Sequence, residues 1–375
     1  KIHSAERSFC CGPSSLLPER RHGSATTRGI RMASSARKIV CEALSSNFRE
    51  CTKIVTQTFA ASPAPGHTYV RNLFCGINAS DINFTAGVYQ PGVQPPFDTG
   101  FEAIGRVVSL GPGVEKFKIG DPVAYTTFGA FAEQREVDAR ALVPLPRMMP
   151  EALTLPVSGL TASIALEKVG EVKQGETVLV TAAAGGTGSF AVQIAKQMGA
   201  HVIGTASTDE KCEMLRSLGC DRPINYKKEE LFEVLKKEYP NGVDVVYESV
   251  GGMQFDAAVN NLAVKGRLVV IGFIGGYQDG TGWTGGGKPQ KPLPPKLLSK
   301  SASVRGFFLN NYAEEWKPHF AKLAKSLGAG TIRGVVDPTK FEGLESVADA
   351  IDYMYAGKNV GKVVVRIQPD EASKL

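Results

Sequence analysis

With 375 residues, 43% of them hydrophobic and 21% charged, the chain has ordinary globular composition and room for two cores, which excludes a disordered protein. Every apolar run is broken well short of the roughly 20 residues that a membrane-spanning helix needs. The formal charge of +6 arises within residues 1–38, eight cations against Glu6 and Glu19, so the remainder is neutral and offers no basic face to nucleic acid.

Residues 1–37 mix Ser, Arg, Gly and Pro without apolar periodicity and read as a disordered basic leader. Met32 is a candidate start, and a mitochondrial presequence is the alternative reading. From Lys38 to about residue 158, short β-type runs such as Tyr69–Leu73, Ile104–Val108 and Pro122–Tyr125 alternate with Gly and Pro. Close-spaced strands with turn signals predict a barrel-like β domain.

From Gly159 the pattern changes. Strand Thr177–Thr181 leads to helix Phe190–Met198, strand His201–Thr205, and helices Asp209–Leu218 and Lys228–Glu238. Strand Val243–Tyr247, helix Phe255–Ala263 and strand Arg267–Phe273 follow. Such alternation predicts a doubly wound parallel sheet with helices on both faces. The glycine-rich stretch Gly275–Gly287 reads as a mobile surface loop and a candidate lid. Val304–Leu309 reads as an edge strand, whose exposed edge predicts a homodimer. Helices Glu314–Leu327 and Leu344–Tyr355 and strand Val363–Val365 complete the chain. The predicted class is α/β, with a nucleotide domain at 159–312 inserted in a split, mainly β domain at 38–158 and 313–375.

The seven cysteines form no C-x-x-C pair, so free thiols are expected rather than a structural zinc or redox site. The last three residues, Ser373-Lys374-Leu375, match the tripeptide read by the peroxisomal import receptor. The expected location is therefore the peroxisome, with cytoplasm or mitochondrion as alternatives.

Thr177–Thr181 runs into Ala182-Ala183-Ala184-Gly185-Gly186-Thr187-Gly188 and then a helix. Small residues between a strand and a helix let backbone N–H groups approach a pyrophosphate, which makes Gly185, Gly186, Thr187 and Gly188 candidate cofactor contacts. In sites for NAD, an acid about 20 residues on binds the ribose 2′-hydroxyl. Here Thr205–Thr208 supplies none. Lys211, Ser207 and Tyr226 are placed to meet a 2′-phosphate instead, so NADP(H) is the expected cofactor.

These motifs resemble the medium-chain dehydrogenase/reductase superfamily over about residues 38–367. Its zinc enzymes carry Cys-Gly-x-Cys-x-x-Asp and Gly-His-Glu; this chain has Cys75-Gly76-Ile77-Asn78-Ala79-Ser80-Asp81 and Gly100-Phe101-Glu102. Asn78 and Phe101 thus stand at ligand positions and supply neither thiolate nor imidazole, so no metal is expected. The departure resembles the zinc-free branch, which includes quinone oxidoreductases, enoyl-thioester reductases and prostaglandin reductases. Tyr247–Gly252, Gly272–Tyr277 and Gly357–Lys362 are similar to that branch's cofactor and active-site stretches. The resemblance implies a Rossmann domain within a split GroES-like catalytic domain. It also implies cofactor contacts at Ser249, Ile271, Tyr277, Phe307, Phe308, Leu309 and Asn359.

The implied activity is NADPH-dependent reduction of the double bond of a lipid enone, such as the C13–C14 bond of a 15-oxo-prostaglandin. Hydride reaches the β-carbon, charge collects on the carbonyl oxygen, and a donor must stabilise it. Tyr89, in a stretch resembling that of the enoyl-thioester reductases, and Tyr277 are the candidate catalytic residues. Asn78 and Asp81 read as bracing for the turn that presents Tyr89, and Phe273, Phe307, Phe308 and Leu309 as pocket wall or sheet core. Enoyl-thioester reduction, quinone reduction and a non-catalytic NADPH-bound structural role remain as alternatives.

Overall fold

The computed structural model describes residues 34–281 and 292–370. Chain order in the first half is β1 (Ser34–Cys41), β2 (Thr52–Phe59), β3 (His67–Gly76), β4 (Phe97–Asp98), β5 (Glu102–Leu110), β6 (Pro122–Thr126), β7 (Gln134–Asp138) and β8 (Val143–Pro144). Next come β9 (Thr177–Val180), β10 (His201–Ala206), β11 (Arg222–Asn225), β12 (Val243–Glu248), β13 (Leu262–Val270) and β14 (Ser303–Gly306), and finally β15 (Phe341–Glu342) and β16 (Val364–Arg366).

Strands β9 to β14 form one sheet in the order β11-β10-β9-β12-β13-β14, and each neighbouring pair is parallel. Its central strands are nearly continuous apolar runs, because helices cover both faces; Val178, Leu179, Val180, Val245, Val246 and Tyr247 are fully buried. Strand β14 is at the edge, as expected. The other half is a sheet ordered β15-β16-β3-β5-β6-β8, with β7 also on β3, beside the small sheet β2-β1-β4. Val364 pairs with Gly76 across β16 and β3, so the C-terminal strand returns to the first domain.

Three expectations need correction. Ser34–Arg37, assigned to the disordered leader, are strand, paired with Thr56–Phe59 of β2; residues 1–33 lie outside the described residues. Helix Ala313–Gly328, assigned to the split domain, instead packs Leu323 into the nucleotide-side core with Phe190 and Leu160, and the chain crosses back only at β15. The stretch opening at Gly275 is pinned rather than loose at its start. The Ile274 and Gly275 N–H groups donate to the carbonyls of Ser249 and Val250, each at 3.0 Å, and Tyr277 is buried. Residues 282–291, which would form the lid, lie outside the described residues, as do Ser373-Lys374-Leu375.

The sequence reading also missed a helical run from Pro150 to Val169 with two wide turns, Leu155–Gly159 and Ala165–Val169. Pro150, Pro156 and Gly159 mask its periodicity. Among the described residues, no helix is long and apolar enough to cross a membrane.

Candidate active site

One cavity of about 910 Å³ lies along the C-terminal ends of the parallel strands, where doubly wound sheets place their ligands. All fourteen expected cofactor positions line it, from Gly185 to Asn359, together with Tyr89.

At its centre, β9 ends in the phosphate loop. Ala182 holds a positive φ of 46°, and its N–H donates to Thr205 Oγ1 at 3.1 Å, which ties the loop to β10. A Cβ on Gly188 would lie 2.7 Å from Ala183 Cα, so only glycine lets helix Gly186–Gln197 start this close to the strand. The N-terminal N–H groups of that helix, lacking intrahelical partners, face the cavity and fit a pyrophosphate. Glu248, at the end of β12, is a brace that the sequence reading missed. Its fully buried carboxylate accepts from the N–H groups of Val250 and Gly251 at 3.0 and 3.1 Å and thereby shapes the turn carrying Ser249. Burial pushes its pKa up to about 7.

One end of the cavity bears Ser207, Lys211 and Tyr226. Asp209, the next acid along the chain, is engaged elsewhere, accepting from Asn225 Nδ2 at 2.8 Å and pairing with Lys228. Lys211 is 8% exposed and donates to the Gly357 carbonyl at 2.7 Å; burial lowers its pKa. The carboxylate that acts on Lys211 is that of Asp337, and it already accepts from the N–H groups of Val360 and Thr339 at 2.6 and 2.8 Å, so a cation, a hydroxyl and a phenol are left to fit a 2′-phosphate.

The other end is walled by aromatic rings. Phe84 stacks on Phe128 with centroids 4.1 Å apart, and Phe101 meets both at 5.1 and 5.4 Å. Across from them, Tyr89 packs edge-on against Phe308 at 5.4 Å. The Tyr89 and Tyr277 hydroxyls are 3.5 Å apart. Tyr277 is 4% exposed and accepts from the Phe273 N–H at 3.1 Å. Burial, and next the Tyr89 hydroxyl, raise its pKa. The structure thus brings the two candidate tyrosines together but ranks them, with Tyr277 behind Tyr89. Phe307 and Phe273 pack partly into the two cores, whereas Phe308 is 39% exposed at the cavity rim.

Below this wall, Asn78, Glu102 and Lys362 form a buried polar cluster. Lys362 Nζ donates to Asn78 Oδ1 at 2.6 Å and pairs with Glu102 Oε1 at 2.5 Å. Asn78 Nδ2 donates to the same Glu102 oxygen at 2.9 Å, and the Asn78 N–H to Asp81 Oδ2 at 2.8 Å. Burial drives the Asp81 pKa up to about 8. Lys362, the last residue of the Gly357–Lys362 motif, gains a role only where the fold brings it to Asn78 and Glu102.

Residues 64–147 match the family model described as an alcohol dehydrogenase GroES-like domain, and residues 186–326 match that of a zinc-binding dehydrogenase. The chain is 51% identical over 357 residues to prostaglandin reductase-3 of Mus musculus, covering 93% of this chain and 94% of that protein. It is 46% identical to a probable quinone oxidoreductase of Leishmania amazonensis, covering 89% and 99%. Among solved structures, CurA of Vibrio vulnificus in complex with NADPH superposes with a TM-score of 0.75 at 26% identity, covering 89% and 100%. Escherichia coli quinone oxidoreductase complexed with NADPH gives 0.74 at 29%, covering 88% and 100%. The second family description implies zinc, but Asn78, Phe101 and Glu102, at the ligand positions in the GroES-like part, do not fit it. They offer an amide, a phenyl ring and a carboxylate already paired with a lysine ammonium.

Proposed function

Because this chain belongs to the medium-chain dehydrogenase/reductase superfamily, we propose that it is an NADPH-dependent, zinc-independent reductase of lipid enones, 15-oxo-prostaglandins among them. The observation carrying this reading is that one cavity joins a phosphate loop and a 2′-phosphate pocket to an aromatic wall bearing the Tyr89 phenol. Gly185–Gly188, Ser207, Lys211 and Tyr226 would hold the cofactor, which supplies the hydride when bound.

The residues of the chain orient and polarise. The Tyr89 hydroxyl donates to the substrate carbonyl oxygen, where negative charge collects in the transition state. Tyr277, whose raised pKa keeps it protonated, supports the Tyr89 hydroxyl from behind. Phe84, Phe101 and Phe128 on one side and Phe308 on the other exclude water and take up hydrocarbon. The relative named a quinone oxidoreductase favours quinone reduction as the second reading.

The test is NADPH oxidation with 15-oxo-prostaglandin E2, a 2-enoyl thioester and a quinone, with NADH as the comparison cofactor. Turnover of the oxo-prostaglandin with NADPH supports the proposal. Preference for the thioester or the quinone moves the substrate class, and equal use of NADH overturns the Lys211 assignment. The proposal extends to peroxisomal import through Ser373-Lys374-Leu375, tested by the location of a tagged chain with and without them, and to a homodimer paired along β14, tested by sedimentation.

A further inference from the structure

We infer that Lys362 is a positioning residue that sets the cofactor side of the cleft in register with the substrate side. Gly357, Asn359, Gly361 and Lys362 all line the cleft. The Gly357 carbonyl accepts from Lys211. Further on, the Gly361 N–H donates to the Ala184 carbonyl at 2.7 Å, and Gly361 pairs in parallel with Gly185 of the phosphate loop. The Lys362 stem lies against the same loop, since a Cβ on Gly186 would come 3.3 Å from Lys362 Cδ. At the far end, its ammonium holds Asn78, just after β3, and Glu102, the first residue of β5.

Asn78 is joined through Asp81 to the short helix Asp81–Thr85 that leads to Tyr89. Asn78, Lys362 and Glu102 are 8%, 2% and 0% exposed, so water does not loosen these contacts. One side chain therefore spans the loop that seats the cofactor and the turn that presents the phenol. Among the described residues, nothing donates to Glu102 Oε2, which leaves Lys362 and Asn78 as the partners of that buried carboxylate. Hydride transfer needs its two carbons about 3–3.5 Å apart, and a misplacement of about 1 Å costs about 100-fold in rate. A tether between the two halves is thus a rate-setting element while its own polar atoms are spent on Asn78 and Glu102.

The inference rests on the reductase reading, so its test includes a measurement independent of turnover. Lys362→Met alone leaves Glu102 buried without a counter-charge and is expected to melt early or not fold. The full-length double variant Glu102→Gln/Lys362→Met removes both charges and is the informative protein. Hydrogen exchange is followed by mass spectrometry with and without NADPH. In the wild type, NADPH is expected to slow exchange both in residues 182–188 and in residues 78–89. In the folded double variant the first protection stays and the second is lost. With whichever acceptor the wild type reduces, kcat is expected to fall about 30-fold or more at an NADPH affinity within about threefold. The primary isotope effect from NADPH deuterated at C4 is expected to rise. Protection of residues 78–89 retained in the double variant, or a wild-type kcat and isotope effect, would overturn the inference. If the wild type reduces no acceptor, the reductase reading fails while the exchange result still decides this one.

Discussion

Replacing Lys211 with alanine tests the cofactor assignment most directly. The side chain is 8% exposed, and its ammonium already gives one N–H to the Gly357 carbonyl at 2.7 Å. Two donors remain for a phosphate in a site where burial strengthens the contact. A hydrogen bond between charged groups contributes about 1.5–3 kcal/mol, which corresponds to about 10- to 150-fold in affinity. NADH has no 2′-phosphate, so its binding is expected to stay within about threefold, because only the tie to Gly357 is lost. NADPH Kd by fluorescence titration, and KM for both cofactors, measure the difference. Burial pulls the Lys211 pKa down, so the wild type's preference for NADPH is expected to fade toward alkaline pH sooner than an exposed lysine would dictate. An equal loss of both cofactors, or no loss of either, would refute the assignment and move the phosphate to Tyr226 and Ser207.

Tyr89→Phe is expected to lower kcat by about 100- to 1,000-fold, as removal of a donor from a developing oxyanion does. Tyr277→Phe removes the hydroxyl behind Tyr89 and the acceptor of the Phe273 N–H and is expected to lower kcat less than Tyr89→Phe; steady-state kinetics that reverse this ranking would reverse the roles. Gly188→Ala is expected to cost about 1–3 kcal/mol from overpacking against Ala183 and to weaken NADPH binding, read by thermal melts and titration. Glu248 and Asp81 give a pH dependence of stability. Burial raises their folded pKa values to about 7 and about 8, so the native state binds these protons more tightly than the unfolded chain. Their contribution is full below the unfolded values and lost as pH rises through the folded ones. Urea melts between about pH 5 and 8 should show Glu248→Gln flattening part of that decline, by on the order of 3 kcal/mol; parallel profiles would contradict it.

The parallel sheet and the phosphate loop were legible because they are written locally. Short apolar runs such as Thr177–Val180 and glycines that only a close strand-to-helix turn requires both act within a few residues of themselves. The Pro150–Val169 run was not legible, because its prolines start turns that tertiary packing then keeps helical. The polar cluster was still less so, since the Lys362–Asn78 bond joins residues 284 positions apart and nothing local distinguishes Lys362 from a solvated lysine. Asn78 and Phe101 show the same divide. In the sequence they signify only that thiolate and imidazole are missing from a metal site. In the structure each has been built into something else. Asn78 is locked by Lys362 and Glu102 into the tether below the cleft, and Phe101 joins Phe84 and Phe128 in the apolar wall above it. A cation still sits beside the active site, but it is covalently part of the chain and already neutralised by Glu102. Its ammonium is committed to Asn78 and Glu102, so in the proposed reaction polarisation falls to the Tyr89 hydroxyl, and Tyr89→Phe is expected to be the more costly of the two tyrosine changes.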